Sequence, residues 1–433
     1  MKNQKPKIGC LTTFFNFNLE FSLCGVVKHQ LISLIKHGYK PVLFVLENFS
    51  SGDVPEGVEV RKILPQLILE PYTTGKLDNL EADVAKAKEA MEANMTDIDV
   101  CLTHDIIFIN SYLPYNIALR EAIGGKLNKV KWLHWIHSGP SFREPDGSPF
   151  DNLRILPPNS KLVYMNQTDV VRAAEMYGVL PSMVRVIFNP CDIRELYAFH
   201  PLTRKLIDEF NLMSPDYLCV YPLSSTRMDI GGKQLGKVIQ IMGNIKRKGG
   251  IVGLVVPNAH ANADKEKQEI ERMYKLGEPY GLTRKEIIFT SMFEVPNWEQ
   301  GVPHEVVMDF FTLGNLFIFP SVSENCPLIL LEAMAGKNLL VLNHSFPAMR
   351  DFALENALYF RFPSLVDNPQ FPEGEEKYYE DVATLVMAEM NNNKALKANT
   401  ILRQRFNVDF IFRRQLEPAI MEIYNETPAT GNS

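Results

Sequence analysis

The sequence FPSVSENCPLILLEAMAGKNLLVLN, residues 319–343, contains the strand–helix–strand pattern from which the fold can be inferred. The apolar run LFIFPS ends at Ser321, and after a polar loop a second apolar run follows Pro327 and stops at Gly336. Because proline fits the first turn of a helix and glycine its end, this pattern predicts a helix between two buried strands. The second strand is NLLVLN, at 338–343. Units in which strands and helices alternate in this way build parallel sheets.

Two acidic residues, Glu324 and Glu332, flank the start of this helix. The unpaired backbone N–H groups of about residues 326–328, together with the positive end of the helix dipole, suit a phosphate or pyrophosphate. On the second turn, Glu332 would accept hydrogen bonds from ribose hydroxyls, and Glu324 would do the same for a sugar. The pattern therefore predicts a nucleotide-sugar site whose diphosphate lies beside Cys326, Pro327 and Leu328. On spacing alone, the alternative is that both glutamates are ordinary surface residues.

The remaining sequence extends this pattern to two domains. A chain of 433 residues, 46% of them hydrophobic, is too long for one ordinary core. Apolar runs alternate with helical periods throughout, and a polar connector at 200–216 separates two such series. We predict an α/β protein with two tandem Rossmann-like doubly wound domains facing a cleft. The first would span 1–200, joined by a C-terminal helix at 407–433, and the second 201–406.

Individual elements of the first half follow from periodicity. Between its first two strands, Val27, Leu31, Leu34 and Ile35 share one helical face, and Gly38 ends that helix. In the second half, strands and helices alternate from 217 to 343. The strands predicted in the first half lie at 7–15, 41–46, 99–110, 130–137, 161–166 and 183–188.

Composition excludes several classes of protein. The net charge of −6 gives no global attraction to nucleic acid or anionic lipid. No apolar run approaches the roughly 18 residues of a membrane span, and no D-x-D at a strand end, H-E-x-x-H motif or Cys/His cluster indicates a metal. The scattered cysteines favour free thiols in a reducing cytoplasm. They are Cys10, Cys24, Cys101, Cys191, Cys219 and Cys326.

The stretch at 319–343 closely resembles the donor-site signature of retaining glycosyltransferases of the glycosyltransferase B fold, also named glycosyl transferases group 1. In that superfamily two glutamates frame the pattern P-S-x-x-E followed by LEAMA-x-G, which here reads PSVSE and LEAMAG. The similarity continues at 24–45, 186–193, 282–294 and 349–360. The resemblance therefore covers most of the chain, and it implies metal-independent transfer from a nucleotide sugar with retention of configuration.

The resemblance also assigns residues to roles. Its diphosphate-gripping arginine and lysine correspond to Arg227 and Lys233 in PLSSTRMDIGGKQLG, where the spacing is one residue longer than usual. His137, at the carboxyl end of a predicted strand, corresponds to a histidine near the transferred sugar and the acceptor. His134 points to the other face of that strand and is expected to be structural. The nucleotide base would lie against Ser291, Met292 and Phe293.

One loop departs from the family pattern. Many members carry a Gly-Gly-x-Glu turn that closes on the diphosphate, whereas this chain has SLCGVVKHQ at 22–30. Gly25 remains and would permit close approach of the backbone to the ligand. His104 and Asp105, after the strand that contains DVCLT, resemble another position at the cleft edge.

The expected function is that of a retaining, metal-independent glycosyltransferase. Its donor would be a UDP- or GDP-sugar, and its acceptor a glycan or lipid-linked sugar. A fainter resemblance, at 22–45 and 108–114, is to phage α-glucosyltransferases that act on hydroxymethylated DNA. That alternative predicts a basic rim and a steep salt dependence. The rim residues would be Lys126, Lys129, Lys131 and Arg143.

A third alternative is a nucleotide-sugar-binding scaffold without activity. A scaffold would not need the complete set of Arg227, Lys233, Glu324 and Glu332. The sequence leaves the donor base, the acceptor and the oligomeric state open.

Overall fold

The chain folds into two compact units in the computed structural model. The structure describes residues 5–50, 52–137, 147–228, 232–293, 295, 297–322, 324, 327–363 and 369–426. The first unit comprises residues 1–190 and 408–433, and the second unit comprises residues 191–407. The first boundary lies at 190/191, where the sequence predicted 200/201, and the second at 407/408, where it predicted 406/407.

The first unit contains a seven-stranded parallel sheet in the order β3-β2-β1-β4-β5-β6-β7. Its strands are β1 Ile8–Leu11, β2 Pro41–Leu46, β3 Glu59–Leu64, β4 Val100–His104, β5 Lys131–Trp135, β6 Ser160–Tyr164 and β7 Val184–Val186. Its first helices are α1 Ser22–Lys36, α2 Glu70–Thr73, α3 Leu80–Asn94, α4 Leu113–Gly124 and α5 Val170–Met176.

Helices cover both faces of this sheet. Val42 and Phe44 belong to one hydrophobic cluster, and the alternating residues Leu43 and Val45 belong to a second cluster on the opposite face. Strands buried on both faces read as continuous apolar runs, which explains why PVLFVL was recognisable in the sequence.

The second unit repeats this arrangement with six parallel strands, in the order β12-β10-β8-β13-β14-β15. These strands are β8 Tyr217–Val220, β10 Val252–Val256, β12 Ile287–Phe289, β13 Leu316–Phe319, β14 Leu339–Asn343 and β15 Leu358–Phe360, and a separate short pair is formed by β9 Leu223–Ser224 and β11 Asn258–Ala259. The helices are α6 Ile193–Leu196, α7 Pro201–Phe210, α8 Leu235–Arg247, α9 Asp264–Gly277, α10 His304–Leu313, α11 Leu328–Ala335, α12 Met349–Ala353, α13 Glu375–Asn392 and α14 Lys394–Arg405.

The chain then returns to the first unit. Helix α15, Val408–Ile411, is followed by a π-helical turn at Phe412–Leu416 and by α16, Glu417–Asn425. Ala419, Ile420 and Ile423 of α16 join the second hydrophobic cluster of the first unit. Within the described ranges, every helix is either too short or too polar to cross a bilayer.

Each sheet has a point at which strand order reverses. In the first unit this point lies between β1 and β4, and in the second between β8 and β13. Helices leave in opposite directions there, so the carboxyl ends of those two strands border a crevice in which ligands of open α/β sheets bind. The architecture confirms the prediction of two tandem doubly wound α/β domains.

Three sequence predictions differ from the structure. The strand expected at 99–110 ends at His104, because Asp105 has a left-handed φ of 59° and turns the chain. Strand β3 was missed because it carries charged side chains, and β15 was missed because it spans only three half-buried residues. Edge strands are partly exposed, and β3 accordingly carries charged side chains instead of an apolar run.

Gly336, which ends α11, makes a close contact that fixes this helix. A Cβ atom at position 336 would lie 2.6 Å from the carbonyl oxygen of Phe311, at the end of α10. We expect Gly336→Ala to lower the free energy of unfolding by about 1–3 kcal/mol through overpacking.

Gly124 provides the matched control, because it ends α4 and a Cβ there would meet no atom within 4 Å. Thermal unfolding followed by circular dichroism would compare the two variants. Equal melting temperatures for Gly336→Ala and Gly124→Ala would contradict the predicted packing of α11.

Candidate functional site

The loops after β8 and β13 bring Lys233 and Glu324 together at the second unit's crevice. Gly232 is required there, because a Cβ would lie 2.8 Å from the Arg227 carbonyl oxygen. The Lys233 N–H donates to that same oxygen at 2.9 Å. Gln234 has a left-handed φ of 51°, and its side-chain amide donates to the Pro320 carbonyl at 2.7 Å. These contacts fix the backbone that carries Lys233.

The two side chains form an ion pair. The Lys233 ammonium donates to Glu324 Oε1, and Ser321 Oγ donates to the same oxygen at 2.8 Å. Their side chains are only 10% and 14% exposed. Burial lowers the pKa of Lys233, Glu324 opposes this shift, and Arg227 adds to it. Arg227 itself is exposed at the end of a 3₁₀ turn, Ser225–Arg227. The site thus holds a largely buried Lys233–Glu324 ion pair and an exposed arginine nearby.

A cavity of about 330 Å³ adjoins this ion pair. Lys233 contributes to its wall, and most other wall residues are apolar, with Ser224 and Asn258 as polar exceptions. Cavities that bind small molecules are typically apolar with a few placed polar groups. The apolar wall includes Pro222, Leu223, Pro257, Val307 and Ile329.

Asn258 holds the rim of this cavity and was missed in the sequence. Its amide Nδ2 donates to Ser225 Oγ at 2.9 Å and to Ser291 Oγ at 2.7 Å, and its Oδ1 accepts from the Ser291 N–H at 3.0 Å. The residue is 1% exposed. One side chain therefore ties together the loops after β8, β10 and β12. The available signal was a polar residue directly after a buried strand, at VVPN.

Glu332 lies on the second turn of α11 and meets a second residue missed in the sequence. Its Oε1 is 3.0 Å from His304 Nε2, at the start of α10. Ile329, which lines the cavity, lies three residues earlier on the same helical side. Pro327 precedes the helix as its N-cap, not within its first turn, and Leu328 is exposed. Cys326 lies outside the described residues.

The segment expected to contact the base follows β12. Ser291 and Met292 belong to a 3₁₀ turn, Thr290–Met292, and Phe293 follows it. Met292 and Phe293 line two other cavities of the second unit, of about 460 and 1110 Å³. Within the described part of this segment, Ser291 alone is linked to the 330 Å³ cavity, through its hydrogen bonds with Asn258.

In the first unit, His137, just after β5, and His104, the last residue of β4, form a hydrogen-bonded pair. His104 Nδ1 lies 2.9 Å from His137 Nε2, and His104 Nε2 lies 3.1 Å from Gln30 Oε1. Burial lowers the pKa of His137 to about 4 and that of His104 well below its usual range, where His137 adds to the shift. Both rings are therefore neutral at pH 7.

Neutrality fixes the hydrogen-bond direction in this pair. The Gln30 oxygen accepts from His104 Nε2, so His104 Nδ1 must accept from His137 Nε2. His137 then keeps an unprotonated Nδ1. Asp105 supports the same residue, because its Oδ1 accepts from the His137 N–H at 2.8 Å.

His134 has a structural environment, as the sequence predicted. Its Nδ1 is 2.7 Å from Thr103 Oγ1 and its Nε2 is 3.0 Å from Ser160 Oγ. It is fully buried, and burial lowers its pKa to about 3, with a smaller contribution from Arg120.

Gly25 lies in the first turn of α1, because residues 22–30, which were compared with a loop of the family, belong to this helix. A Cβ atom at this position would meet no protein atom within 4 Å. Packing within the described structure therefore does not require glycine here, and its role toward a ligand stays a prediction.

The three described lysines of the basic rim proposed for DNA do not border the first unit's crevice. Lys126, Lys129 and Lys131 precede or begin β5, at its amino end, whereas the crevice lies at the carboxyl ends. Lys131 is buried and donates to Asn159 Oδ1 at 3.2 Å. Arg143 lies outside the described residues.

Neither the protein-family models nor the curated proteins give a match to this chain. A glycosyltransferase from Rickettsia africae is similar in structure, with 13% identity, a TM-score of 0.37 and coverage of 97% of this chain and 100% of the other. Anabaena HepE in complex with UDP is also similar in structure, with 15% identity, a TM-score of 0.33 and coverage of 96% of this chain and 100% of the other.

The Candida albicans trehalose-6-phosphate phosphatase N-terminal domain is similar at 10% identity, with a TM-score of 0.37 and 97% coverage of both chains. Because these TM-scores are all below 0.5, the assignment of the fold rests on the strand order of this chain.

Asn258 leads to a testable prediction. Asn258→Ala removes hydrogen bonds to two serines and leaves a buried gap, so we expect a loss of about 1–3 kcal/mol in the free energy of unfolding. Urea denaturation measures this loss. Asn262→Ala, at a solvent-exposed position in the same region, is the matched control. If the two variants unfolded at the same urea concentration, Asn258 would not be the link between these loops.

The buried histidines predict a pH dependence of stability. An unfolded histidine titrates near pH 6.5, whereas folded His137 titrates at about 4, so between these values the unfolded chain binds more protons. Stability should be highest above about pH 6.5 and decrease as the pH falls toward 4. We expect His137→Gln to flatten this decrease, measured as urea midpoints at pH 7.5 and 5.5. His344→Gln, at an exposed position, should leave the slope unchanged.

Proposed function

We propose that this protein is a retaining, metal-independent glycosyltransferase that moves a sugar from a UDP- or GDP-sugar to an acceptor hydroxyl. The observation that carries the proposal is the Lys233–Glu324 ion pair beside the 330 Å³ cavity at the second unit's strand-order reversal. A nucleoside diphosphate sugar combines a flat base whose faces can pack on apolar side chains, an anionic centre and a hydroxylated ring, and this site offers a surface suited to each.

The second unit would hold the donor. Its base and ribose would enter the cavity between Leu223, Pro257 and Ile329, with Glu332 accepting hydrogen bonds from the ribose hydroxyls. An ammonium group has three N–H donors, so Lys233 can bind Glu324 and still donate to a phosphate oxygen. Arg227 would bind the same diphosphate. Glu324 would then accept from hydroxyls of the transferred sugar.

These charges would act on the transition state. As the bond between the anomeric carbon and the phosphate oxygen breaks, negative charge grows on the leaving diphosphate. Lys233 and Arg227 stabilise that charge more strongly than they stabilise the ground state, which accelerates the reaction. The acceptor oxygen would bond to the anomeric carbon on the same face, and its proton would pass to the leaving phosphate oxygen.

The first unit would supply the acceptor site. The unprotonated Nδ1 of His137 offers a hydrogen-bond acceptor there, consistent with a position near the transferred sugar and the acceptor. From the sequence, the acceptor is either a glycan or lipid-linked sugar or, as the alternative, a hydroxymethylated DNA base. The proposed cytoplasmic location rests on the free thiols, of which Cys10, Cys101 and Cys219 are buried.

Binding of the donor can be tested directly. UDP, GDP, ADP and their common sugar conjugates would be compared by thermal shift and calorimetry, with and without EDTA. We expect one nucleotide family to stabilise the protein, regardless of EDTA. Glu332→Gln should weaken that binding about 10-fold through loss of a charge-assisted hydrogen bond, or about 1.4 kcal/mol. Glu305→Gln, an exposed residue in the first turn of α10, is the control.

The role of Lys233 in catalysis can be tested by substitution. Lys233→Met should lower kcat/KM about 100-fold, because one preorganised donor to the leaving group is lost. The exposed Lys285→Met is its control. NMR of the product would report the anomeric configuration.

An inverted product would contradict the retaining mechanism, and a requirement for metal would contradict metal independence. Tight binding without hydrolysis or transfer would favour the nucleotide-sugar-binding scaffold.

A further inference from the structure

The first unit has its own cavity, of about 540 Å³, at the reversal of strand order between β1 and β4. Its walls come from the segment after β1, including Thr13 and Phe15, and from the segment after β4, including Asp105 and Ile109. This is the location at which open α/β sheets bind ligands, and the volume falls in the range of small-molecule sites.

The lining of this cavity is largely apolar and rich in aromatic rings. Ten of its sixteen lining residues are aromatic or aliphatic, and the aromatic ones are Phe14, Phe15, Phe21, Tyr112 and Tyr115. Two of the rings, Phe15 and Phe21, are 61% and 54% exposed. Exposed aromatic side chains around a cavity indicate a binding surface, because covering them with a ligand lowers the free energy.

The polar groups of the cavity are few. Thr12 Oγ1 already donates to the Phe44 carbonyl, and both ends of the Asn18 side-chain amide bind Glu20. Among the described residues, the side chains of Thr13 and Asn16 have no hydrogen-bond partner. His104 is engaged by Gln30 and His137. Few polar side chains therefore remain for a ligand.

Asp105 provides the one carboxyl group among the described lining residues. It is 8% exposed, and its φ of 59° is unusual for a residue other than glycine. Backbone strain of this kind persists where surrounding structure holds it, often at ligand sites. One carboxylate oxygen accepts from the His137 N–H, so the carboxylate is fixed in orientation.

The charges in the lining exclude some ligands. Neither lysine nor arginine occurs among the described lining residues, so the cavity offers no cation to a phosphate or a carboxylate. A sugar buried there would leave several of its hydroxyls without partners, and each unpaired buried hydroxyl is costly. A flat ring with apolar faces and one alcohol group matches the lining better.

We propose that this cavity binds the acceptor, and that the acceptor is an uncharged alcohol carried on an aromatic or heteroaromatic ring. This inference rests on the proposed function. The ring packs among the phenylalanine and tyrosine side chains, and edge polar groups of the ring bind Thr13 and Asn16. The alcohol O–H donates to Asp105 in the bound state, which holds the oxygen in one orientation. As the bond between the anomeric carbon and the alcohol oxygen forms and the bond to the phosphate oxygen breaks, the alcohol proton turns away from Asp105 and passes to that phosphate oxygen.

Such an alcohol has two sources, a free small molecule and a hydroxymethyl base presented by a nucleic acid. The full-length protein would be given benzyl alcohol, the free nucleoside of hydroxymethylcytosine, and the same base in a DNA duplex. Methyl glucoside and 1-octanol represent sugars and acyl chains. Transfer from the donor selected by the nucleotide screen would be followed by mass spectrometry, and binding without donor by saturation-transfer NMR.

We expect at least one ring alcohol to have a KM about 10-fold or more below that of methyl glucoside. Phe15→Ala should raise the KM for the ring alcohol about 10-fold. The thermal shift of this variant with nucleotide would show that it is still folded. Leu180→Ala, at a 71% exposed apolar residue of the same unit, should not change that KM. Asp105→Asn should lower kcat more than it raises KM.

A preference for methyl glucoside or 1-octanol would overturn the inference, as would an unchanged KM in Phe15→Ala. Selective use of the duplex over the free nucleoside would identify nucleic acid as the source of the ring. If the donor is hydrolysed but ring alcohols are neither bound nor glycosylated, the inference fails while the proposed function stands. If no donor is bound or consumed, the proposed function fails, and saturation transfer to the ring alcohol still decides what the cavity binds.

Discussion

The structure depends on one constraint of parallel sheets, which is that the first strand of each unit pairs with both the second and the fourth. Strand β1 lies between β2 and β4, and β8 lies between β10 and β13. The right-handed crossovers that follow must then leave toward opposite sides. The carboxyl ends of these central strands remain uncovered by helices, so both candidate ligand sites follow from strand order before any side chain is considered.

Strand order provides a crevice, and buried charge then determines what it can bind. Removing Lys233 and Glu324 partly from water is unfavourable for each alone, and their pairing offsets this cost only because Ser321 and the fixed loop backbone complete the geometry. The contribution of such a pair to stability is small or negative. Its persistence in a cavity wall is therefore better explained by a charged ligand than by folding.

The sequence predicted most of the second unit because its strands are buried on both faces and read as apolar runs. It overextended the strand after Val100, since Ile106, Ile107 and Phe108 are buried like strand residues although Asp105 has already turned the chain. Candidate site residues near the signature could be proposed from the sequence. Asn258, His304 and Gln30 were not, because each acts through a partner that is distant in sequence and adjacent only after folding.

The two cavities differ in the property that matters most for their ligands, which is charge. The one in the second unit includes Lys233 and adjoins Glu324, whereas the lining of the one in the first unit has neutral histidine and a single carboxylate. A diphosphate would bind poorly beside Asp105 because no cation compensates the repulsion. The second unit's cavity, by contrast, offers the Lys233 ammonium to an anion and apolar walls to a ring attached to that anion. The difference in charge therefore disfavours an anionic ligand in the first unit's cavity and favours one in the second.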